Sequence, residues 1–447
     1  MAGNGSVNEC SNGTAHCDAH ATCTDTASSF LCTCDDGYSG DGMTCSPNVA
    51  RAIVAGNSQT CAISTANTVR CWGLGYEGVL GYGNTNSIGD DETPASAGDV
   101  DIGGPVQQIA AGNYSTCALL ATGNVRCWGY DSMGELGYGT HSSMGAGNIG
   151  DNETPASAGD LDIGGAVKQL AAGNSFACAL LTTGNVRCWG DASLGDLGYG
   201  RNTGNIGDDE TPASAGDLDI GGPVAQITAG GYHACALLTT GNVRCWGANT
   251  YGELGRGNGD QAPIGVSNTP ASQGDIDIGG PVKQIAAGEF HTCALLTTGK
   301  VRCWGYPYDG QLGYGNMNII GDDETPAAAG DIDVGGTVTQ LAARGYHTCA
   351  LLTTGNMRCW GGGDHGELGH GNLNGIGDDE TPASAGDIDV GGAVQQIAPG
   401  EWGTCALLTT GKVRCWGRNF YGELGYGNLN DIGDDETPAS AGDVSVF

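Results

Sequence analysis

Short apolar runs separated by glycine-containing breaks fill the chain from Arg51 onward and read as β-strands rather than helices. Val106-Gln-Gln-Ile109-Ala-Ala is a run with β-branched positions. Cys117-Ala-Leu-Leu120 and Val125-Arg-Cys-Trp128 flank a turn containing Gly123, which predicts a hairpin. Asp99-Val-Asp-Ile102 alternates polar with apolar residues and reads as an outermost strand, wet on one side. One segment of this kind supplies about four strands.

The segment occurs seven times. Each copy carries two cysteines ten residues apart, followed by Trp-Gly: Cys61 and Cys71, Cys117 and Cys127, Cys178 and Cys188, Cys235 and Cys245, Cys293 and Cys303, Cys349 and Cys359, Cys405 and Cys415. First cysteines follow one another at 56, 61, 57, 58, 56 and 56 residues, a period that suits a four-stranded blade. Seven blades make a ring of small sheets packed face to face around a central channel. The 83 glycines keep fixed places in every copy and mark turns, so the composition is architectural rather than low-complexity. The C-terminal Val444-Ser-Val-Phe447 either completes blade seven or joins the N-terminal strand near Ile53.

Hairpin geometry fixes the fate of the repeat cysteines. A type I turn with Gly123 in the left-handed conformation pairs Leu120 with Asn124 and sets Cys117 opposite Cys127. Six copies have glycine there and the first has Asn67, the next best left-handed residue. Seven cross-strand disulfides are expected, each worth about 2–3 kcal/mol on the loop-entropy account. Seven isolated pairs without histidines at ligand spacing argue against zinc. The other six cysteines, Cys10, Cys17, Cys23, Cys32, Cys34 and Cys45, form a disulfide framework in a segment too small to build its own core. All 20 cysteines are thereby used, which implies an oxidising, extracellular setting, secreted or at the cell surface. No secretory leader and no apolar run long enough to span a bilayer is seen, so the chain is expected to be a mature or recombinant form without membrane insertion.

Two resemblances follow from these residues. The spacing from Cys10 to Cys45, with Gly37-Tyr38-Ser39-Gly40-Asp41-Gly42, resembles an EGF-like domain over residues 6–46. That resemblance implies pairing Cys10–Cys23, Cys17–Cys32 and Cys34–Cys45. It also implies a calcium site built on Glu9 and Asp25, with Ser6 standing where calcium-binding members have an acid. Ala111-Gly-x-x-x-x-Cys-Ala-Leu, Gly123-x-Val-x-Cys-Trp-Gly129 and Gly134-Glu-Leu-Gly-Tyr-Gly139 are similar to the repeat of the RCC1 (regulator of chromosome condensation) family, which implies a seven-bladed β-propeller. The expected architecture is all-β: a tail at 1–5, an EGF-like domain at 6–46, a linker at 47–50 and an RCC1-like propeller at 51–447. The family's usual histidine survives only as His233, His291 and His347, with Gln59, Ser115, Phe176 and Gly403 elsewhere, so it is no uniform catalytic feature.

Charge narrows the function. Asp and Glu number 50 against 16 Lys and Arg, a net of −34, which repels phosphate backbones and excludes nucleic acid as partner. Much of it sits in a repeated loop, Ile88-Gly-Asp-Asp-Glu-Thr-Pro94, also found from Ile149, Ile206, Ile320, Ile376 and Ile432 and degraded at Ile264. Three adjacent acids suit Ca²⁺, but the loop lacks EF-hand spacing and reads better as backbone-capping turns. No cofactor is required on this reading. Arg70, Arg126, Arg187, Arg244, Arg302, Arg358 and Arg414 precede the second cysteines and need acidic partners once packed between blades, such as Asp160 or Asp162 for Arg126. The tryptophans that follow read as blade packing.

Variation between copies points to the binding face. The loop before each first cysteine holds Ser58, Tyr114, Ser175, Tyr232, Phe290, Tyr346 and Trp402 at one place. Tyr114, Tyr232, Phe290, Tyr346 and Trp402 are expected to form an aromatic crown at the channel mouth, with Glu289 and Glu401 beside them, and His233, His291 and His347 are counted with them as binding residues. The loops after Trp-Gly, such as Tyr306-Pro-Tyr-Asp309 and Arg418-Asn-Phe-Tyr421, carry contact chemistry too, and no catalytic constellation or phosphate loop assembles. The favoured function is a secreted or cell-surface binding or adhesion protein that presents a propeller face to a protein partner. The alternatives are a self-assembling filament subunit whose EGF-like module docks on the next propeller, and, least favoured, a lyase or hydrolase at the channel mouth.

Overall fold

The structure is a computed structural model that describes residues 9–12, 14–27, 29–35, 37–140, 147–200 and 204–447. The expected tail at 1–5 and Ser6, Val7 and Asn8 of the N-terminal module lie outside the described residues. Two small antiparallel pairs form that module, Ala21–Asp25 with Phe30–Cys34 and Tyr38–Gly40 with Cys45–Pro47. Three disulfides hold it, Cys10–Cys23, Cys17–Cys32 and Cys34–Cys45, the pairing that the EGF-like resemblance implies. Asn48 and Val49 separate Pro47 from the first strand of the next unit, Ala50–Ala55.

The rest of the described chain is seven consecutive antiparallel three-stranded sheets. Blade two, with strands Val106–Ala111, Ser115–Leu120 and Val125–Gly129, stands for all. Its middle strand is buried at every position, because a neighbouring blade covers each face. The hairpin has the expected register: Leu120 N–H donates to the Asn124 carbonyl at 2.9 Å, Gly123 has φ 87°, and Cys127 faces Cys117. Asn67 takes the same left-handed turn position in blade one with φ 65°.

Every blade carries the expected cross-strand disulfide. Cys61 is bonded to Cys71, Cys117 to Cys127, Cys178 to Cys188 and Cys235 to Cys245. Cys293 is bonded to Cys303, Cys349 to Cys359 and Cys405 to Cys415, and no cysteine is free. In each case the two cysteines are directly opposed in the ladder, as the turn at Gly123 and its equivalents requires.

The expected fourth strand is a correction. Asp99–Ile102 forms no ladder; Val100 N–H donates to the Val69 carbonyl at 2.8 Å and the Asp101 carbonyl accepts from Ala156 N–H at 3.1 Å. Its side chains do the remaining anchoring. Asp99 pairs with Arg70 at 2.8 Å and Asp160 with Arg126 at 2.9 Å, so the first of the two weighed partners is the one used. The same guanidiniums reach the neighbouring blade, as Arg126 does at the Ile102 carbonyl.

Blades are stitched at three depths. Near the axis each inner strand carries a β-bulge that frees a glutamine in six of the seven blades, and Gln108, Gln169, Gln226, Gln284 and Gln396 each bond both the N–H and the carbonyl of the next inner strand. Ala52 holds this place in blade one, where Arg51 reaches the Val106 carbonyl instead. Midway, six of the seven fully buried indoles donate to a carbonyl of the preceding blade, as Trp128 does to Val79 at 2.9 Å, while Trp360 Nε1 has no partner. At the periphery the C-terminus completes blade seven, with Val444 N–H on the Val413 carbonyl. It also touches blade one, where Ala95 N–H donates to Ser445 and Arg70 to the Val446 carbonyl. Among the described residues no helix is long and apolar enough to cross a membrane.

Candidate binding face at the channel mouth

Antiparallel order decides which loops share a face. Inner strands end at Ala111 where middle strands begin at Ser115, and third strands end at Gly129 opposite Ser115, so both connections emerge on one side, here the upper face. The inner strands enclose a channel of about 260 Å³ lined mainly by alanines, isoleucines and leucines, with Arg344 at its rim. Gly73 and Ile88 exchange backbone hydrogen bonds at 2.7 and 3.0 Å, which roots the long outer connection at the top of the blade, and the equivalent pair recurs in every blade.

The aromatic crown is an arc rather than a ring. Tyr232 and Phe290 stack with centroids 5.7 Å apart, Phe290 and Tyr346 lie 6.2 Å apart, and Tyr346 and Trp402 lie 5.8 Å apart, linking blades four to seven. Tyr114 stands apart and packs edge-on with Tyr76 at 5.9 Å, because Ser58 and Ser175 interrupt the series on either side. The outer loops widen the arc. Tyr306 contacts Tyr251 at 4.9 Å, Tyr308 at 5.0 Å and Phe290 at 6.1 Å, His365 meets Trp402 at 5.5 Å, and the Arg418 guanidinium lies 5.3 Å over Trp402. All five crown residues are half-buried.

Beneath the arc sits an ionisable cluster. Burial pushes the Glu289 carboxyl up to about 7, the Glu401 charge adds to it, and a 2.7 Å hydrogen bond from Asn174 and the Arg344 charge oppose it. Glu401 is raised by burial against the pull of Arg344 and Arg418. Arg344 is held below its ordinary value by burial, and the two glutamates restore part of the difference. Its Nε has no hydrogen-bond partner. Arg344 escaped the sequence reading, although glycine holds its place in the other six blades, as Gly56, Gly112, Gly173, Gly230, Gly288 and Gly400.

The three histidines are a second correction. His233, His291 and His347 do not line the mouth; they are 1%, 0% and 1% exposed and lie between blades. Each Nε2 is 2.8 Å from a threonine hydroxyl of the next blade, Thr292, Thr348 and Thr404 in turn. Burial lowers their pKa to about 4, 3 and 4. The sequence held a clue: the copy after each histidine carries threonine one residue beyond the aligned place, whereas Phe176 faces a copy with Ala234.

Two sets of acids stand elsewhere. Glu9 and Asp25 are neighbours, but Asp25 accepts the Glu9 backbone N–H at 3.1 Å, and Glu9 Oε2 has no partner. Five acidic loops bring three carboxylates within 4.8 Å, as at Asp90, Asp91 and Glu92. Burial and the adjacent aspartates push Glu92 up to about 7.

Comparison with known proteins agrees with this architecture. A family model described as the RCC1-like domain matches residues 3–383, and one for the regulator of chromosome condensation (RCC1) repeat matches residues 394–423. The chain is 28% identical over 392 residues to the ultraviolet-B receptor UVR8 of Arabidopsis thaliana, covering 88% of this chain and 82% of that protein. It is 30% identical over 305 residues to the mitochondrial RCC1 domain-containing protein RUG3 of the same plant, covering 67% of this chain and 62% of the relative. Among solved structures, human WBSCR16 superposes with a TM-score of 0.62 at 22% identity, covering 81% of this chain and 92% of the other. Yeast RCC1 (Prp20) bound to Kap60 gives 0.61 at 18% identity, covering 83% and 81%. At such identities these two structures speak for the fold alone. With the family's own pattern matching most of its length and seven blades in its fold, the chain belongs to the RCC1-like domain family.

Proposed function

We propose that this chain is an extracellular binding protein that engages a partner protein through the upper face of blades four to seven. One observation carries the reading: a continuous chain of half-buried rings, Tyr232, Phe290, Tyr346 and Trp402, spans four blades at the channel mouth. Aromatic anchors set in a polar surround are what protein interfaces concentrate their binding energy on. The wider surface supports it. Among the described residues, the large exposed apolar side chains of the propeller, from Tyr76 and Met133 to Phe420 and Leu429, all belong to the connections that emerge on this face. Ten disulfides support an oxidising location. The three buried histidines are engaged in inter-blade bonds and do not reach the mouth.

The test compares two faces of the intact chain. Tyr346→Ala with Trp402→Ala removes two anchors above, and Thr297→Ala with Thr298→Ala alters an exposed turn below. A partner captured from the extracellular fraction is expected to be lost by the first pair and retained by the second. The reverse pattern would refute the reading.

A further inference from the structure

We propose that the upper face of blades five and six receives a lysine or arginine side chain of the partner polypeptide, held by Asp309 and Asp364 between tyrosine rings. This rests on the binding role of that face. The two acid pairs of the mouth differ in how their charge is met. Glu289 and Glu401 share Arg344 from within the fold, and Arg418 also lies near Glu401. Asp309 and Asp364, on the outer loops of blades five and six, have no such cation. Among the described residues neither is in ion-pair contact with a lysine or arginine. Asp309 is half-buried and Asp364 exposed. The Asp309 side chain lies against the start of the blade-six loop, where a Cβ at Gly362, two residues before Asp364, would stand 3.7 Å from the Asp309 Cβ. After burial, the Asp364 charge is what disfavours ionisation of Asp309, with Gln311 pulling the other way.

Rings surround this pair. Tyr306 feels Asp309 directly, and Tyr346 is pushed up to about 12 by burial and by Glu289, Glu401 and Asp309. Tyr308 is 50% exposed and edge-on to Tyr306, so an aromatic surface lies open next to two unneutralised carboxylates. A cation satisfies both features at once, through charge attraction and through ring faces that attract positive charge. A neutral or acidic side chain would leave the carboxylates facing each other without relief. A second copy of this chain is a poor occupant, since each copy carries a net −34.

The probes are hexa-arginine and hexa-lysine peptides, with hexa-glutamine as control, titrated into the intact chain at moderate salt with EDTA present. Binding is read by calorimetry and by emission of Trp402, since the other seven of 8 tryptophans are fully buried. Asp309→Asn with Asp364→Asn is expected to weaken the basic peptides about tenfold or more. Asp208→Asn with Asp209→Asn, an equal change of charge in the blade-three acidic loop, is expected to leave affinity within about twofold. Equal weakening by both pairs would show bulk attraction and overturn the inference, as would wild-type affinity in the first pair or binding that appears only when calcium replaces EDTA. If the wild type ignores basic peptides while a captured partner still depends on Tyr346 and Trp402, the inference fails and the binding role stands. If neither holds, both fail.

Discussion

The Trp72 indole N–H donates a 2.8 Å hydrogen bond to the Glu423 carbonyl, 351 residues further along the chain. Trp128 makes the same bond to Val79 and Trp189 to Glu135, so the first and seventh blades meet as sequence neighbours do. Gln396 adds both of its bonds to Ile53 across that junction.

The last four residues therefore act as a peripheral fastener. Val444 and Val446 are buried, Ser445 and Val446 accept hydrogen bonds from blade one, and the Phe447 ring lies 5.1 Å beneath the Arg70 guanidinium. Removing residues 444–447 is expected to cost roughly 4 kcal/mol or more from lost burial and hydrogen bonds. A calorimetric melt should show a lower Tm, and limited proteolysis should open blades one and seven first. An unchanged melt and digestion pattern would show that the fastener is dispensable.

Much of this architecture was legible because it is local. The turn at Gly123 fixes the hairpin register, and that register alone brings Cys117 to Cys127. The need of a packed guanidinium for an acid likewise pointed from Arg126 to Asp160. What escaped lies between blades. The His291–Thr348 bond, the Gln226–Ile285 bonds and the Arg344 cluster join residues about one repeat apart or more, and a pattern read within one copy does not contain the neighbour's facing side chain. The alternation of Asp99-Val-Asp-Ile102 was real, but it reflects two buried anchors, Val100 and Ile102, and one ion pair rather than a full ladder.

The buried histidines predict an acid-sensitive body. Below their ordinary 6.5 the unfolded chain binds protons that the folded sites refuse until about pH 4 at His233 and His347 and about 3 at His291. Stability present above pH 6.5 is therefore lost as pH falls through that window, on the order of 3 kcal/mol per histidine. Glu289 and Glu367, pushed up to about 7, act oppositely and lose stability as pH rises from 4.5 to 7. His291→Gln, which copies the Gln59 of blade one, isolates one contribution. Urea unfolding should lose less stability between pH 6.5 and 4 in the variant than in the wild type. Parallel profiles would contradict this.

Asp196 marks a weak point in blade three. At its place the other acids and Gln311 accept a backbone N–H of their own loop, as Glu253 does from Tyr251 at 2.8 Å. The shorter Asp196 is 2% exposed; backbone N–H groups of Leu194 and Asp196 reach its carboxyl, and its Oδ1, like Glu253 Oε1, has no partner. Burial, aided by Asp191, pushes it up to about 8, so its contribution is lost as pH rises from 3.8 to 8. Asp196→Gln is expected to raise stability by about 1–2 kcal/mol at pH 9 and by less at pH 5. Melts at the two pH values check this. An equal gain at both would show that the carboxyl charge is not the cause.

Hydroxyl-radical footprinting of the chain with and without its captured partner tests the binding face most directly. The account predicts protection of Tyr308, Tyr346 and Trp402, while Met133 on blade two and Leu31 and Met43 of the N-terminal module stay as reactive as in the free chain. Protection confined to the N-terminal module, with the rings of blades four to seven unchanged, would contradict it.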